Sequence, residues 1–427
     1  MASIIIGSFP AHGHVSPMVE IARKFVERGD FVRFITGARF ADRVRAVGAV
    51  HIPLPPDADL DETFLDQFPD RAKLKGLNAA AFDIEHVFVR PTVSQYQTIR
   101  AAHAAAPADC VLLEPATMGG ALLLGHRCPT RPPIVVCGVV PLPIASADTA
   151  PYGMGFPPAR WANRQRNAAL AVLGRRMLAQ PNRTADELYG QVHGRRLPFS
   201  LIDWCGYADA IVQFTVPSFE YPRSDAPATL HFAGPLGAAG SQAPLPDWWS
   251  DLDGSRPVVH VTQGTVANLD YRQAIAPTLA ALAEEDVLVV VSTGGRPLDT
   301  LPPLPENARA AVFLPYDELL PRTDVYVTNG GYGGVQYALR YGVPIVATGG
   351  KEDKPEVGAR VAWSGVGRRL RTERPSPRAL RRDILAVLNE PRYRERSRHI
   401  AAEMAAAPGF ACLANVVDEL MRAPSPR

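Results

Sequence analysis

Apolar residues near the start of the chain change from a continuous run to helical spacing. Residues 4–6 are three consecutive isoleucines, a run typical of a buried strand. After Pro17 the apolar residues recur every three or four positions until Gly29: Met18, Ile21, Ala22, Phe25 and Val26. We therefore predict a first strand, a loop that carries His12 and His14, and then an amphipathic helix.

The same alternation of apolar runs and helical stretches continues to the end of the chain. In the first half, the runs predict strands at residues 31–36, 109–114, 132–140 and 208–214. In the second half, they predict strands at residues 257–265, 286–295, 308–316, 324–331 and 343–350, with helices over about 270–284 and from Gly334 onwards. Strands that alternate with helices in this way form parallel sheets with right-handed crossovers.

Proline and glycine are concentrated between residues 217 and 250, where we predict no regular structure. We place an N-terminal α/β domain at 1–225, a linker at 226–250 and a C-terminal α/β domain at 251–405. Residues 406–427 are predicted as a terminal helix able to pack back on the first domain. Two doubly wound domains of this kind face each other across a cleft, and ligands bind at the carboxyl ends of the strands.

The composition narrows the class of protein. The 427 residues carry a net charge of only +2, with 45 basic and 43 acidic residues and no long basic run, which argues against nucleic acid as a partner. No stretch of about 18 apolar residues predicts a transmembrane helix. The first apolar run is too short for a signal peptide, and five scattered cysteines form no disulfide framework. We expect a cytoplasmic protein without stable membrane insertion, as a monomer or homodimer.

A glycine-rich loop follows the strand predicted at 324–331. Gly330, Gly331, Gly333 and Gly334 let the backbone approach a ligand closely, and the helix that follows offers unpaired N–H groups to an anion such as a pyrophosphate. Taken alone, the loop is equally compatible with a tight strand–helix turn. It is not a Walker A loop, because no Lys-Ser or Lys-Thr pair follows.

Four segments together resemble a known family. They are FPAHGHVSPM (9–18), HFAGPLG (231–237), QGT (263–265) and the long stretch from LPYDELL to VGARV (314–361). In this order they are similar to the GT-B nucleotide-sugar glycosyltransferases of family 1 that act on natural products. The resemblance implies an inverting transfer of a hexose or deoxyhexose from a UDP- or dTDP-sugar to a hydroxyl of a small hydrophobic acceptor, such as a polyketide, macrolide, ansamycin or phenolic. It also implies catalysis without a metal or other cofactor.

The resemblance assigns donor-binding roles to residues of the second half. The diphosphate would be held by Thr265, Asn329, Gly333 and Gly334, with Gly331 in the same loop. The base would meet the backbone near Leu314 and Tyr316. Tyr332 would lie by the phosphates and the sugar, and Asp353 and Lys354 would contact the sugar hydroxyls.

Three positions depart from the family pattern. Asn329 stands where the family usually has His, so it can donate to a phosphate oxygen but carries no charge. Tyr337 stands where a Glu often grips the ribose, and the adjacent Gln336 could substitute. Lys354 replaces the usual Gln and offers donors only. These departures bear on the choice of sugar and base.

The two histidines suit the deprotonation of an acceptor hydroxyl, because imidazole titrates near neutral pH. From the residues alone, either His12 or His14 could be the base. The resemblance selects His14 and implies a carboxylate partner at Glu114, where the usual residue is Asp. His12 would support the loop, and Asp109 lies at the other end of the same strand.

Apolar side chains of the first half are candidates for the acceptor pocket. A long loop rich in proline and glycine follows the strand at 132–140 and carries Tyr152, Met154, Phe156 and Trp161. Phe82, His86 and Phe88 lie on an earlier helix-like stretch. No histidine or carboxylate spacing predicts a metal site.

Two other functions fit parts of the pattern. A GT-B UDP-GlcNAc epimerase or GlcNAc transferase would share the fold, but the epimerases lack the GHVSP histidine segment. A non-catalytic nucleotide-binding accessory protein would explain the changes at Asn329 and Tyr337. The presence of His14 together with Glu114 argues against it.

Overall fold

The computed structural model describes residues 1–61, 63–125, 131–236, 243–265 and 268–422. Two parallel sheets dominate it. The first sheet contains β1 (Ser3–Gly7), β2 (Phe31–Thr36), β3 (Val50–Pro53), β4 (Cys110–Leu113), β5 (Ile134–Gly138), β6 (Ala210–Gln213) and β7 (Leu230–Phe232). These seven strands pair in the order β3-β2-β1-β4-β5-β6-β7.

The second sheet contains β8 (Val258–Thr262), β9 (Leu288–Ser292), β10 (Ala308–Ala311), β11 (Val325–Thr328), β12 (Ile345–Ala347) and β13 (Gly367–Arg369). Its six strands pair in the order β10-β9-β8-β11-β12-β13. Most of these strands are fully buried, which is why they read as continuous apolar runs in the sequence. The prediction of two parallel-sheet α/β domains is confirmed.

Helices cover both faces of each sheet. Those of the first half are α1 (His12–Glu27), α2 (Ala41–Ala46), α3 (Gly76–Asp83), α4 (Thr92–Ala105), α5 (Gly119–Leu124), α6 (Asn163–Met177) and α7 (Ala179–His193). Those of the second half are α8 (Ile275–Leu282), α9 (Tyr316–Leu319), α10 (Tyr332–Arg340), α11 (Lys354–Trp363), α12 (Pro377–Asn389), α13 (Pro391–Ala406) and α14 (Phe410–Arg422). A π-helix at Ile84–Val89 continues α3.

The first helix begins earlier than the sequence predicts. Helix α1 starts at His12, so both histidines lie in its first turn and the prediction that they sit on a loop is wrong. Pro17 lies inside the helix and has no N–H for the carbonyl of Gly13. Because Gly13 is exposed, water can satisfy that carbonyl, and the helix tolerates the proline.

Part of the segment predicted to be irregular is a strand. Strand β7 lies within residues 217–250 and adds to the edge of the first sheet by pairing with β6. It has only three residues, all partly buried, so its pairing with β6 rather than its own sequence determines its structure. Residues 237–242 of the predicted linker lie outside the described residues.

The C-terminal helix packs on the first sheet. Leu413 and Val417 of α14 are fully buried in the core formed by β1, β4, β5, β6 and α1. The rings of Phe25 and Phe410 meet edge to face at 4.8 Å. The chain therefore crosses from the second domain back to the first at its end.

No single helix among the described residues is long and apolar enough to cross a membrane. Taken together, the bent pair α13 and α14 passes the same test of length and composition.

Candidate active site

The sheet topology brings His14 and Glu114 together. Strands β1 and β4 are parallel neighbours with Gly7 paired to Leu113, so the segments that follow both strands leave the same edge of the sheet. Glu114 comes directly after β4, and His14 lies in the first turn of the helix that follows β1. His14 Nδ1 lies 2.8 Å from Glu114 Oε2.

Glu114 is fully buried, and its carboxylate accepts four hydrogen bonds. Oε2 accepts from the Ala116 N–H at 2.9 Å as well as pairing with His14. Oε1 accepts from the Phe9 N–H at 2.9 Å and from the Thr117 hydroxyl at 2.8 Å. Because hydrogen bonds on both oxygens fix the carboxylate, it holds the imidazole in one orientation.

The pair shifts the pKa of both members. Burial by itself raises the pKa of the Glu114 carboxyl, but the charge and hydrogen bond of His14 and the N–H groups of Phe9 and Ala116 outweigh it, so this pKa is lowered. Burial lowers the pKa of His14, and the neighbouring Glu114 more than reverses this, so the pKa of His14 lies above its ordinary value. Asp353 and Glu352 of the other domain add to this increase.

The carboxyl groups of Asp353 and Glu352 therefore act on the pKa of His14 from the second domain. Burial is the main reason that the pKa of Asp353 is raised, and Glu352 adds to it. Lys354 begins helix α11, is 7% exposed and donates to the Glu352 carboxylate. Glu352 adopts a left-handed backbone conformation with φ of 57°. A strained residue beside a cleft is typical of functional sites.

The glycine loop leaves open space at the start of α10. The helix starts at Tyr332 rather than at Gly334, with Gly331 as its N-cap residue. A Cβ at Gly331 or Gly333 would meet nothing within 4 Å, whereas Gly330 has φ of 95° and lies close to the Thr348 carbonyl. The first-turn N–H groups thus border free volume, as an anion site requires.

The loop after β8 lies beside the glycine loop. Thr262 of β8 pairs with Thr328 of β11, so Thr265 and Asn329 follow neighbouring strands. Thr265 is exposed. The Asn329 side chain is 2% exposed and donates to the Gln263 carbonyl at 3.1 Å. Asn329 therefore ties the two loops together.

Two predicted donor residues take part in contacts between the domains. The Gln213 amide donates to the Tyr332 hydroxyl at 3.3 Å. The Thr215 hydroxyl donates to Gln336 Oε1 at 3.0 Å, and Gln336 is 7% exposed. In this arrangement the Gln336 oxygen is occupied by the first domain and is not offered to a ribose.

Tyr316, predicted near the base, and Tyr337, predicted near the ribose, belong to a cluster of tyrosines. The Leu314 side chain is 1% exposed, so only its backbone could meet a base. The Tyr316 hydroxyl lies 3.1 Å from His260 Nε2. The Tyr337 hydroxyl donates to Asp317 Oδ1 at 2.7 Å. Asp317 carries no signal of its own in the sequence, because its partner is a tyrosine twenty residues later.

Aromatic side chains of the first domain contact His14 and one another. The Phe9 ring meets the His14 ring edge to face at 5.7 Å, and it contacts the Phe88 ring at 5.3 Å. Phe82 and His86 stack at 3.8 Å. Phe9 is 9% exposed and was not predicted, since an aromatic residue before a turn carries no distinctive signal.

The loop predicted to border the acceptor is only partly buried. Tyr152 and Met154 are half-buried, Phe156 is 36% exposed and Trp161 is 86% exposed. The Arg371 guanidinium of the second domain lies over the Phe156 ring at 5.1 Å. Tyr152 lies near Asp353 and Glu356, whose charges together with burial raise the pKa of its hydroxyl.

Within the described ranges, no group of three His, Cys, Asp or Glu side chains is arranged to hold a metal ion.

Comparison with known proteins identifies the family. Residues 276–421 match the domain described as "Erythromycin biosynthesis protein CIII-like, C-terminal domain". The chain is 39% identical over 425 residues to 4'-demethylrebeccamycin synthase of Lentzea aerocolonigenes, covering 98% of this chain and 100% of that protein. It is 32% identical over 442 residues to UDP-glycosyltransferase 2 of Phaeomoniella chlamydospora, covering 98% and 96% of the two chains.

The solved structures agree on the fold. The crystal structure of CalG4, the calicheamicin glycosyltransferase, matches with a TM-score of 0.73 over 100% of both chains at 22% identity. The sheets, the cleft and the relatives lead to one conclusion: this chain belongs to the GT-B, family 1 nucleotide-sugar glycosyltransferases of the natural-product type.

Proposed function

We propose that this glycosyltransferase moves a hexose or deoxyhexose from a UDP- or dTDP-sugar to a hydroxyl of a small hydrophobic acceptor, with inversion at the anomeric carbon. The observation that carries the proposal is the 2.8 Å contact between His14 Nδ1 and the buried Glu114 carboxylate. Because an ionised carboxylate only accepts hydrogen bonds, we assign the imidazole proton to Nδ1, which leaves Nε2 as the proton acceptor.

The proton and the bonds balance as follows. His14 Nε2 takes the proton of the acceptor hydroxyl as its oxygen attacks the anomeric carbon. The bond between that carbon and the diphosphate oxygen breaks, and the nucleoside diphosphate leaves with the bonding electrons. Glu114 stabilises the imidazolium that forms, because the carboxylate is already charged and fully hydrogen-bonded.

The leaving diphosphate is stabilised without a metal ion in this proposal. The open space at Gly331 and Gly333 borders the first-turn N–H groups of α10, and the exposed Thr265 hydroxyl lies on the adjacent loop. Such preorganised donors stabilise the charge that develops on a leaving group. Asp353 and Lys354 at the start of α11 are the candidates for the sugar hydroxyls, because Asp353 lies near enough to His14 to influence its pKa.

The acceptor is proposed to lie between two sets of aromatic side chains. Phe9 and Phe88 extend from His14 on one side. Tyr152, Met154 and Phe156 belong to the loop that contacts the second domain on the other. An apolar molecule with one reactive hydroxyl suits these surroundings, and the relative named 4'-demethylrebeccamycin synthase supports a natural-product acceptor.

A mass-spectrometric transfer assay tests this function. The native protein and His14→Ala are mixed with UDP- and dTDP-sugars and a panel of hydroxylated polyketides, macrolides and phenols. A mass gain of one sugar with the native protein, absent with the variant, supports the proposal and identifies the donor. His12→Ala is the matched control, and it should keep most of the activity.

Three results would contradict the proposal. Transfer that survives His14→Ala but not His12→Ala would make His12 the base. Conversion of a UDP-sugar into its epimer without transfer would support an epimerase, and nucleotide binding with neither reaction would support an accessory role.

A further inference from the structure

The loop at residues 151–157, here called the acceptor loop, is held by the opposite domain. The N–H groups of Gly153 and Gly155 both donate to Glu356 Oε1, at 3.0 and 2.7 Å. The Gly155 carbonyl accepts from Arg369 Nη1 at 2.9 Å. Both backbone polar groups of Gly155 are therefore satisfied by side chains of the second domain.

The contact between the acceptor loop and helix α11 is close enough to require a glycine at Gly155. Gly155 is buried with φ of 64°, and a Cβ there would lie 2.8 Å from both the Cβ and the carbonyl oxygen of Pro355. Gly153 has φ of 92° but a Cβ there would meet nothing within 4 Å. The two glycines thus share an unusual backbone conformation, and only Gly155 is packed against helix α11.

Glu356 is itself fixed by a buried ion-pair network. Its Oε2 accepts from Arg360 Nη1 at 2.8 Å, and Arg360 donates to both oxygens of Glu220 at 2.9 Å. Arg360 and Glu220 side chains are each 1% exposed, and that of Glu356 is 6% exposed. Glu220 also accepts from the Leu142 N–H at 3.1 Å, so α11 holds the segment after β5 at two points.

The same turn of α11 serves the donor side. Asp353 and Lys354, the candidates for the sugar hydroxyls, lie three and two residues before Glu356 in the chain. A change in domain separation that moves these residues also withdraws the partner of Gly153 and Gly155. The acceptor loop and the turn that carries Asp353 and Lys354 are therefore expected to move together.

We propose that Glu356 is a positioning residue that assembles the acceptor site: by docking the acceptor loop on α11, it holds Tyr152 and Met154 in place for the acceptor only when the two domains are together. This inference rests on the proposed function, since it names the residue that builds the acceptor side of that site. Glu356 touches neither the donor nor the reacting atoms in this proposal.

Kinetics of two Glu356 variants test the role. Glu356→Ala removes the acceptor of two backbone N–H groups and should raise the acceptor KM by about tenfold to a hundredfold. The donor KM and the hydrolysis of the donor without acceptor should change less than the acceptor KM, because the side chains of Asp353 and Lys354 are intact. Glu356→Gln keeps an oxygen for the two N–H groups but turns an amide N–H₂ group toward Arg360, so it should restore only part of the acceptor affinity. Equal increases in donor and acceptor KM, or no change in either, would overturn the proposal.

The two glycines provide a matched pair. Gly155→Ala and Gly153→Ala both impose a side chain on a left-handed backbone, but only Gly155→Ala pushes the loop away from Pro355. The acceptor KM should rise more for Gly155→Ala than for Gly153→Ala. Equal effects would show that backbone strain, not docking on α11, sets the affinity.

Hydrogen exchange separates this inference from the proposed function. In the native protein without substrates, the backbone amides of residues 151–157 should exchange slowly, and Glu356→Ala and Gly155→Ala should speed them up. This readout needs no transfer activity. Slow exchange that both variants leave unchanged contradicts the docking itself, whereas faster exchange in a protein that transfers no sugar contradicts only the proposed function.

Discussion

His14 and Glu114 form a contact of 2.8 Å although 100 residues separate them in the chain. Neither residue has an unusual local sequence that would place the other beside it. Two adjacent parallel strands, β1 and β4, bring them to one edge of the first sheet. The catalytic proposal depends on this pairing, and four predictions test it and the structure that supports it.

The first prediction concerns the pH dependence of transfer. The pKa of His14 is raised, chiefly by Glu114 acting against burial, and only the unprotonated imidazole can accept a proton. The rate should therefore fall as pH decreases through this pKa. Glu114→Gln removes the charge that raises the pKa, so the acidic limb should move to lower pH while the maximal rate drops by about a hundredfold or more.

A pH–rate profile of kcat/KM for the native protein and Glu114→Gln measures both effects. Asp109→Asn is a control on the same strand, and it should leave the position of the acidic limb unchanged. An acidic limb that stays in place in Glu114→Gln would show that another group controls the rate.

The second prediction concerns stability. Arg360→Met should destabilise the protein by about 3 to 5 kcal/mol at neutral pH, because it leaves the buried Glu220 without its principal cationic partner. Arg45→Met, which removes an exposed pair with Asp42, should change the stability by less than about 1 kcal/mol. Thermal unfolding of the two variants beside the native protein gives the comparison.

The loss of stability in Arg360→Met relative to the native protein should become smaller as the pH falls. Burial raises the pKa of Glu220, but Arg360 and Arg223 outweigh it, so the folded-state pKa lies below the unfolded value and the native protein loses this stabilisation on acidification. In Arg360→Met, burial is the main influence on the pKa of Glu220, so the uncharged carboxylic acid is tolerated in the core. A difference in Tm that grows toward acidic pH would contradict this account.

The third prediction concerns the choice of sugar. Lys354→Gln replaces a residue that only donates with one that also accepts, and it breaks the pair with Glu352. Competition between several sugars on one nucleotide should show a changed order of kcat/KM, by about tenfold for sugars that differ in one hydroxyl. Lys351→Gln, which affects an exposed residue of the same loop, should leave that order unchanged. An unchanged order in Lys354→Gln would remove Lys354 from the sugar site.

The fourth prediction concerns the terminal helix. Leu413→Ala should cost about 2 to 5 kcal/mol, because Leu413 is fully buried against the first sheet. Leu269→Ala should cost little, since Leu269 is 82% exposed. Hydrogen exchange should show that the peptides of β1 and β4 lose protection in Leu413→Ala. A loss confined to the second domain would contradict the packing described here.

The sheets could be predicted because buried parallel strands are continuous apolar runs, and each domain contains several of them. The start of α1 could not, because Pro17 suggests a helix start and only the exposed Gly13 carbonyl permits the helix to begin earlier. Strand β7 was missed because three partly buried residues carry no pattern of their own.

The resemblance to the family implied the pairing of His14 with Glu114, whereas the residues alone left His12 and His14 as equal candidates. The parts of the site that bridge the domains could not be predicted from the sequence. Glu356, Arg360 and Glu220 are ordinary charged residues in the sequence, and their burial depends on how two separately folded sheets meet. Phe9 was missed because an aromatic residue before a turn carries no distinctive signal, and Asp317 because its partner Tyr337 lies twenty residues later.

The return of α14 to the first sheet has a consequence for the order of synthesis. The ribosome makes β1 to β7 first, but Leu413 and Val417 fill their core only when the last helix has left the exit tunnel. Until then an apolar surface on the nascent first domain stays exposed, and the second domain is completed before the first. A stop codon just before α14 would therefore damage the half of the protein that was translated earliest.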